Sequence, residues 1–311
     1  MPRIILDCDP GTDDAIALLL AFAAPEIDLA AVTVAGGNVG LDHTLRNALA
    51  LTRLADAKVP VYRGADRPLL GRFVSAPYVH GEDGMGGVGL PPGGAAEPGL
   101  AADAIRAILR VAPAPLTLVG IAPATNLGLA LITEPGLAEK VERIVLMTGA
   151  WGEGNATPAA EFNALNDPEA LAVLLRLGRP VVLAGLDLTH QALVTPRRID
   201  ALRQAGREGA GGGRCLRIAC DILASVPPSA RSAGLGAALH DPCAIAWLLA
   251  PELFTARDCA VEVDLGPGPS RGRTLVDRWG RTGAPANATV LETLDADRFF
   301  ALLATHLARL P

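Results

Sequence analysis

Short, continuously apolar runs alternate along this chain with longer segments whose apolar residues recur at helical spacing. The runs cover residues 4–6, 29–34, 59–62, 116–121, 144–147 and 181–184, and the helical segments 13–23, 42–55, 100–111, 126–132 and 168–177. A strand that is apolar at every position has no solvent face, so both of its sides must be covered. Intervening helices supply that cover. The pattern predicts an α/β fold: a mostly parallel, Rossmann-like open sheet flanked by helices, in a single domain over residues 1–311. The second half changes character. Residues 199–226 read as helix broken by the Gly209 to Gly213 run, and residues 242–249 and 295–310 as further helices. Residues 261–265 and 289–291 read as late antiparallel strands. No linker or internal repeat divides the chain. The Gly-rich segments 81–99 and 206–213 are predicted to be flexible.

Composition narrows the function classes. Half of the 311 residues are hydrophobic and 19% are charged, which excludes disorder as the main state. The 34 Gly and 25 Pro stay below the low-complexity range. A net charge of −6 and a pI near 5.4 argue against a surface built to grip nucleic acid or anionic lipid. Lys58 and Lys140 are the only lysines, and we read the arginine excess as codon bias. The five cysteines, Cys8, Cys215, Cys220, Cys243 and Cys259, fit no disulfide or zinc spacing and are predicted to be free, buried thiols. Asp7 follows Met1 too closely for a secretory signal. Residues 111–133 carry no charge, but Pro113, Pro115, Pro123, Thr125 and Asn126 are incompatible with one spanning helix. A soluble, reduced, cytoplasmic protein without nucleic-acid or membrane partners is expected.

The first apolar run ends in Asp7-Cys8-Asp9-Pro10-Gly11-Thr12-Asp13-Asp14, four acids in eight residues. The boundary between a strand and the following helix is where open α/β sheets bind ligands. On an extended chain Asp7 and Asp9 point one way and Cys8 the other. Asp13 and Asp14 fall in the first helical turn, where the helix dipole favours each acid by only about 0.3–1 kcal/mol. That does not offset four carboxylates crowded in apolar surroundings, whereas a hard divalent cation with oxygen ligands does. A solvated acidic turn is the plainer alternative, and the apolar flanks disfavour it. Because no His or Cys cluster accompanies the acids, Ca²⁺ or Mg²⁺ is expected over zinc. Ligand type alone does not choose between those two.

Other polar islands interrupt the apolar pattern. In His240-Asp241-Pro242, Asp241 suits a helix N-cap with Pro242 at the first helical position, which leaves His240 without a structural role. Glu161-Phe162-Asn163, with Asn155 before it, suits a hydroxyl-rich ligand, although ordinary loop chemistry explains it too. Thr125 is expected to cap its helix. Gly36-Gly37-Asn38 follows the second run as a turn. His80-Gly81-Glu82-Asp83-Gly84 reads as a Gly-rich lid, and His190 in Asp187-Leu188-Thr189-His190 as structural. All but the lid fall at predicted strand ends or helix starts, which points to one shared cleft.

Together these residues resemble the nucleoside hydrolases, specifically the inosine-uridine-preferring branch. The opening motif matches the family pattern DxDPGxDD, which is highly specific. In family order follow Gly37-Asn38, His80-Gly81-Glu82, Thr125-Asn126, Val145-Leu146-Met147, Glu153-Gly154-Asn155-Ala156, Glu161-Phe162-Asn163, Asp167-Pro168-Glu169-Ala170, Gly185-Leu186-Asp187-Leu188-Thr189-His190 and His240-Asp241-Pro242. The matches span essentially the whole chain. The resemblance implies a homodimer or homotetramer that binds one Ca²⁺ and hydrolyses the N-glycosidic bond of purine or pyrimidine ribonucleosides, a salvage activity. It implies Asp9, Asp14, Asp241 and the Thr125 carbonyl as calcium ligands, Asp7 as their support, and Asp9 as general base to a Ca²⁺-bound water. Asp13, Asn38, Asn155, Glu161 and Asn163 would hold the ribose hydroxyls, with Met147, Phe162 and Asp241 also against the substrate. His80 and His240 would face the base, and His240 would assist the leaving group.

One departure concerns the base. Some members carry an aromatic residue in the loop before the His-Asp pair, where this chain reads Ser225-Val226-Pro227-Pro228-Ser229-Ala230-Arg231. Tyr78 or Arg231 is the candidate substitute. Two other readings compete. A haloacid-dehalogenase-like Mg²⁺ phosphotransferase also begins with Asp-x-Asp, but wants Thr or Val where this chain has Gly11, and no convincing downstream lysine is present. A non-catalytic nucleoside or sugar sensor would be expected to lack Asp9 or His240, and both are here.

Overall fold

The structure is a computed structural model that describes residues 1–208, 213–228, 232 and 234–311. β1 (Arg3–Cys8) leads into α1 (Thr12–Ala23), β2 (Asp28–Val34) into α2 (Leu41–Leu54), β3 (Val61–Arg63) into the short α3 (Pro77–His80), and β4 (Glu97–Leu100) into α4 (Ala101–Val111). β5 (Leu116–Gly120) precedes α5 (Thr125–Ile132), and β6 (Val141–Leu146) precedes α6 (Phe162–Asn166) and α7 (Pro168–Leu175). β7 (Val181–Leu183), α8 (Leu186–Thr189), β8 (Leu193–Val194), α9 (Pro196–Glu208) and α10 (Arg214–Ser225) follow. The chain then forms β9 (Ala237–Ala238), α11 (Pro242–Leu249), β10 (Phe254–Val263), β11 (Thr274–Asp277), β12 (Ala288–Leu294) and α12 (Ala296–Leu307).

Among the described residues, ten strands form one sheet in the order β11-β10-β12-β7-β6-β5-β1-β2-β3-β4, and β8 pairs with β9 apart from it. From β4 to β12 neighbouring strands run parallel. Of the two strands expected to be antiparallel, β10 is so to both β11 and β12, whereas β12 is parallel to β7. The strand order reverses at β1, so the C-terminal ends of β1 and β5 flank the topological switch point. The acidic motif and the loop leading to α5 both emerge there.

Strand alternation divides β1 between two apolar layers. Ile4, Leu6 and Cys8 join one layer with α1 and α11, while Ile5 joins the other with α5 and α7. All five cysteines are free and buried, as expected. The uncharged stretch 111–133 divides into β5 and α5, and among the described residues no helix is long and apolar enough to cross a membrane.

Departures from expectation have local causes. β4 is an exposed edge strand reading Glu97-Pro98-Gly99-Leu100, which carries neither alternation nor β propensity. β10 starts at Phe254, earlier than its apolar run, because residues 255–258 are exposed. α3, α6 and α8 are too short to show periodicity. Part of the segment predicted to be flexible is anchored. Met85 is 1% exposed in the core. Asn47 Nδ2 donates to the carbonyls of Pro10 at 3.1 Å and Asp83 at 2.8 Å. Gly209 to Gly212 in the second such segment, and Ser229, Ala230 and Arg231, lie outside the described residues.

Candidate active site

β1 delivers Asp7 and Asp9 to the switch point, and the first turn of α1 delivers Asp13 and Asp14. Asp7, Asp9 and Asp14 are completely buried, and Asp13 is half-buried. Asp7 Oδ1 accepts from Thr33 Oγ1 (2.6 Å) and Asn126 Nδ2 (2.8 Å). Asp9 Oδ2 accepts from the Asn38 backbone N–H at 2.7 Å. Asp14 accepts from the backbone N–H groups of Asp9 and Gly11, both at 3.0 Å, and so closes the start of α1. Asp241 is the N-cap of α11 in position, but its side chain does not cap. It shares a hydrogen bond with Asp14 instead.

Carboxylate oxygens of Asp13, Asp14 and Asp241 all lie within 4.8 Å of one another. Asp9 is outside that group, although it was expected to be a ligand where Asp13 was not. Its Oδ1, and Asp7 Oδ2, are buried without a hydrogen-bond partner among the described residues. Burial first, and the neighbouring carboxylates second, push Asp9 and Asp241 well above the usual carboxylate range. Burial raises Asp7 and Asp14 to about 7. An all-oxygen cluster with orphaned buried acceptors fits a hard divalent cation, which would satisfy those acceptors and offset the mutual repulsion.

Beside the cluster opens a cavity of about 680 Å³. Asp13, Asn38, Glu161, Asn163, Met147 and Asp241 line its polar end, with Asn155 and Phe162 nearby on the same wall. His80, His190 and His240 also reach it, and Val79, Leu223, Val226, Pro227 and Pro228 form an apolar wall. Tyr78 lines it while remaining 74% exposed. His80 Nδ1 lies 3.2 Å from the Thr12 backbone N–H and 2.9 Å from Thr12 Oγ1. His240 Nδ1 lies 2.7 Å from Thr189 Oγ1, and burial pushes its imidazole down to about 4. His190, expected to be purely structural, faces the cavity and meets His240 edge-to-face at 5.4 Å.

Several candidate polar groups are also committed to the scaffold. Asn38 Nδ2 donates to Asp14 Oδ2 (2.9 Å) and the Asp9 carbonyl (3.1 Å), so Asn38 braces the acids. Glu161 caps α6, accepting from Asn163 N, Ala164 N, Gly149 N and Thr148 Oγ1. Asn163 Nδ2 donates to the carbonyls of Ile121 (3.2 Å) and Met147 (3.0 Å). Asn155 Oδ1 accepts from Phe162 N at 2.9 Å. Thr125 does not cap α5. Ala124 occupies the cap position, and the Thr125 hydroxyl donates to Asp167 Oδ2 at 2.6 Å.

Thr12, Thr189, Asp167 and Asp187 were missed as site supports. Asp187 Oδ2 accepts from Trp151 N (2.8 Å) and Gly152 N (3.4 Å), fixing the loop that leads to Glu153 and Asn155. All four lie inside motifs already singled out, Thr12 in the acidic motif, Asp167 before Pro168, and Asp187 and Thr189 beside His190, but nothing in those motifs marks them as supports.

Gly37 tests how tightly the acids are held. A Cβ there would lie 2.1 Å from Asp9 Oδ2 and 3.2 Å from Pro123 Cδ, so Gly37→Ala must displace the Asp9 carboxylate. Displacement of a reacting group by about 1 Å costs roughly 10² in rate. Steady-state turnover of Gly37→Ala should fall by that order. Gly40→Ala, whose Cβ meets nothing within 4 Å, should not. Wild-type activity in Gly37→Ala would mean that the position of Asp9 is unimportant.

Comparison with known proteins shows the family. The family described as "Inosine-uridine preferring nucleoside hydrolase" matches residues 4–301. This chain belongs to that family. It is a ribonucleoside hydrolase, an enzyme that cleaves N-glycosidic bonds. It is 44% identical over 312 residues to "Pyrimidine-specific ribonucleoside hydrolase RihA" of Shewanella oneidensis, covering 98% of this chain and 96% of that protein. The protein of the same description from Salmonella schwarzengrund is 43% identical over 98% of this chain and 97% of its own length. Among solved structures, the "Purine-Preferring Ribonucleoside Hydrolase from Gardnerella vaginalis" superposes with a TM-score of 0.86 at 31% identity, covering 98% of both chains. The "Inosine-Guanosine Nucleoside Hydrolase (IG-NH)" gives 0.87 at 29% identity, covering 99% of both.

Proposed function

We propose that this nucleoside hydrolase acts on pyrimidine ribonucleosides, with Ca²⁺ as its metal. The observation that carries the reading is a buried carboxylate cluster with an orphaned Asp9 Oδ1, set beside a cavity whose other groups include a buried histidine, His80, and a half-buried one, His240. Pyrimidine preference is supported by the relatives at 43–45% identity, which are described as pyrimidine-specific. Ribose release from a panel of pyrimidine and purine ribonucleosides, with and without a chelator, tests it. Faster turnover of inosine and guanosine than of uridine and cytidine would overturn the preference.

In this reading Asp9, Asp14, Asp241 and the Thr125 carbonyl hold the cation, Asp13 lies beside them, and Asp7 supports Asp9. When bound, the cation supplies Lewis acidity that lowers the pKa of a coordinated water and orients vicinal hydroxyls. Asp9 takes the proton of the attacking water. Asp13, Asn38, Asn155, Glu161, Asn163 and Met147 receive the ribose. The acids there stabilise the positive charge that develops on the sugar as the C–N bond breaks. His80, His240 and Phe162 receive the base, and His240 assists its departure from the side opposite the water, as acid and base divide the work in inverting glycosidases. We further propose that residues 1–311 form one catalytic domain, that the enzyme is a cytoplasmic homodimer or homotetramer, and that Tyr78 contributes the aromatic contact at the cavity mouth. Light scattering of the purified protein measures the assembly.

Replacing His240 with Ala separates assistance to the leaving group from support of Asp241. Loss of a group that protonates or hydrogen-bonds the departing base should lower kcat for uridine by roughly 10²–10⁴. A p-nitrophenyl riboside releases p-nitrophenolate, a stable anion, and should lose less than about tenfold, the part not owed to proton transfer. Equal losses on both substrates would make His240 a support for Asp241 and nothing more.

A further inference from the structure

We infer that Thr12 locks His80 into the Nε2–H form, making His80 a fixed hydrogen-bond donor to a carbonyl oxygen of the bound base. The inference rests on the nucleoside reading of the cavity. His80 closes α3, is buried, and borders the cavity, whereas Thr12 opens α1 on the far side of the Gly11 turn. The two residues meet only through the fold, being 68 positions apart.

The tautomer follows from the partner. The Thr12 backbone N–H, 3.2 Å from His80 Nδ1, can only donate, so Nδ1 accepts and carries no proton. The Thr12 hydroxyl, 2.9 Å away, can donate to the same atom. The one proton of the neutral ring therefore sits on Nε2. Adding a second proton at Nδ1 would set N–H against N–H in a buried site. Burial independently pushes the His80 pKa down, against the opposing pull of Asp13. Glycine at position 11 is part of the device, because a Cβ there would lie 2.7 Å from His80 Nδ1.

His240 is held differently. Its Nδ1 meets the Thr189 hydroxyl, which either donates or accepts as it rotates, so that partner does not dictate a tautomer. The two histidines thus divide the labour. His240 is free to exchange a proton, while His80 presents one unchanging N–H. A fixed neutral donor suits an acceptor on the base, and every pyrimidine nucleoside carries a carbonyl oxygen beside its glycosidic nitrogen. The bond strengthens as negative charge collects on the departing base.

Two measurements test the inference on the metal-loaded enzyme. Two-bond ¹⁵N–¹H correlations of histidine-labelled protein at pH 7, with the His80 signals identified by their loss in His80→Gln, should show protonated Nε2 and bare Nδ1. An Nδ1–H or doubly protonated ring would overturn the lock. Thr12→Val keeps the backbone N–H and should keep the tautomer. In kinetics, His80→Leu should lower kcat/KM for uridine roughly 10- to 100-fold more than for p-nitrophenyl riboside, which has no base carbonyl. His80→Gln, whose amide N–H₂ reaches as far as Nε2, should recover most of that loss, and His80→Asn should not. An unchanged ratio between the two substrates in His80→Leu, or better rescue by Asn than by Gln, would overturn the donor role. A wild-type enzyme inactive on every ribonucleoside would remove the nucleoside reading itself, whereas an active enzyme with an unchanged ratio removes only the inference about His80.

Discussion

Exhaustive removal of divalent metal should abolish ribonucleoside hydrolysis and lower the melting temperature in the same titration. Both effects trace to Asp7, Asp9, Asp14 and Asp241, which are buried together and whose ionised forms are held at a cost. Without a cation, burial disfavours the ionised form of each. Asp7 and Asp14 have native pKa values of about 7 against an ordinary value of 3.8. An acid with a raised native pKa contributes stability in full below its unfolded pKa and loses it as pH rises through the native value. The melting temperature of the metal-free protein should therefore fall as pH rises from about 4 to above 7, in the window set by those two values. The metal-loaded protein should stay nearly flat there, because the cation replaces the protons. Thermal melts with and without chelator across that range, alongside elemental analysis, check both parts. Full activity with no detectable metal, or a metal-free melting temperature that climbs with pH, would sink the proposed site. Ca²⁺ should restore activity, and restoration by Zn²⁺ alone would mean that the ligands are misassigned.

A second large effect is expected at the sugar. Uridine should be hydrolysed far faster than 2′-deoxyuridine. Asp13 borders the cavity with its carboxylate within 4.8 Å of Asp14 and Asp241, where a ribose hydroxyl can meet it. A substrate without the 2′-hydroxyl leaves part of this polar end unpaired. Sites built to hydrogen-bond a substrate hydroxyl reject the analogue lacking it by up to about 10⁴–10⁵. Comparison of kcat/KM for the two nucleosides measures this directly, and equal values would show that the acids do not grip the ribose. Asp13→Ala should narrow the ratio, because it removes a group whose pairing the ribose supplies.

The elements most legible in the sequence were those with a local pattern. The apolar runs became β1, β2, β5, β6 and β7 because a strand covered on both faces writes its burial into every residue. The Asp7 to Asp14 motif announced both the ligand-binding edge and the oxygen-rich character of the site, since crowded acids need a counter-charge whatever fold holds them. Edge strand β4 and the turns of α3, α6 and α8 left no such trace. Their conformation is imposed by neighbours and not by their own residues.

The partners of each polar side chain were decided only by the tertiary structure. Asp7 meets Asn126 across 119 positions, His80 meets Thr12 across 68, and His240 meets Thr189 across 51. Such pairs form because the reversal of strand order at β1 gathers the loops after β1, β2, β5, β6 and β7 around one switch point. Periodicity and propensity act over a few residues and carry no information about that gathering. For the same reason Asn38 and Glu161, read as ribose contacts, proved also to brace Asp14 and to cap α6. The residue types and their chemistry were set by the sequence. The choice between holding the scaffold and facing the ligand was set by which hydrogen-bond partners the crossovers brought within about 3 Å.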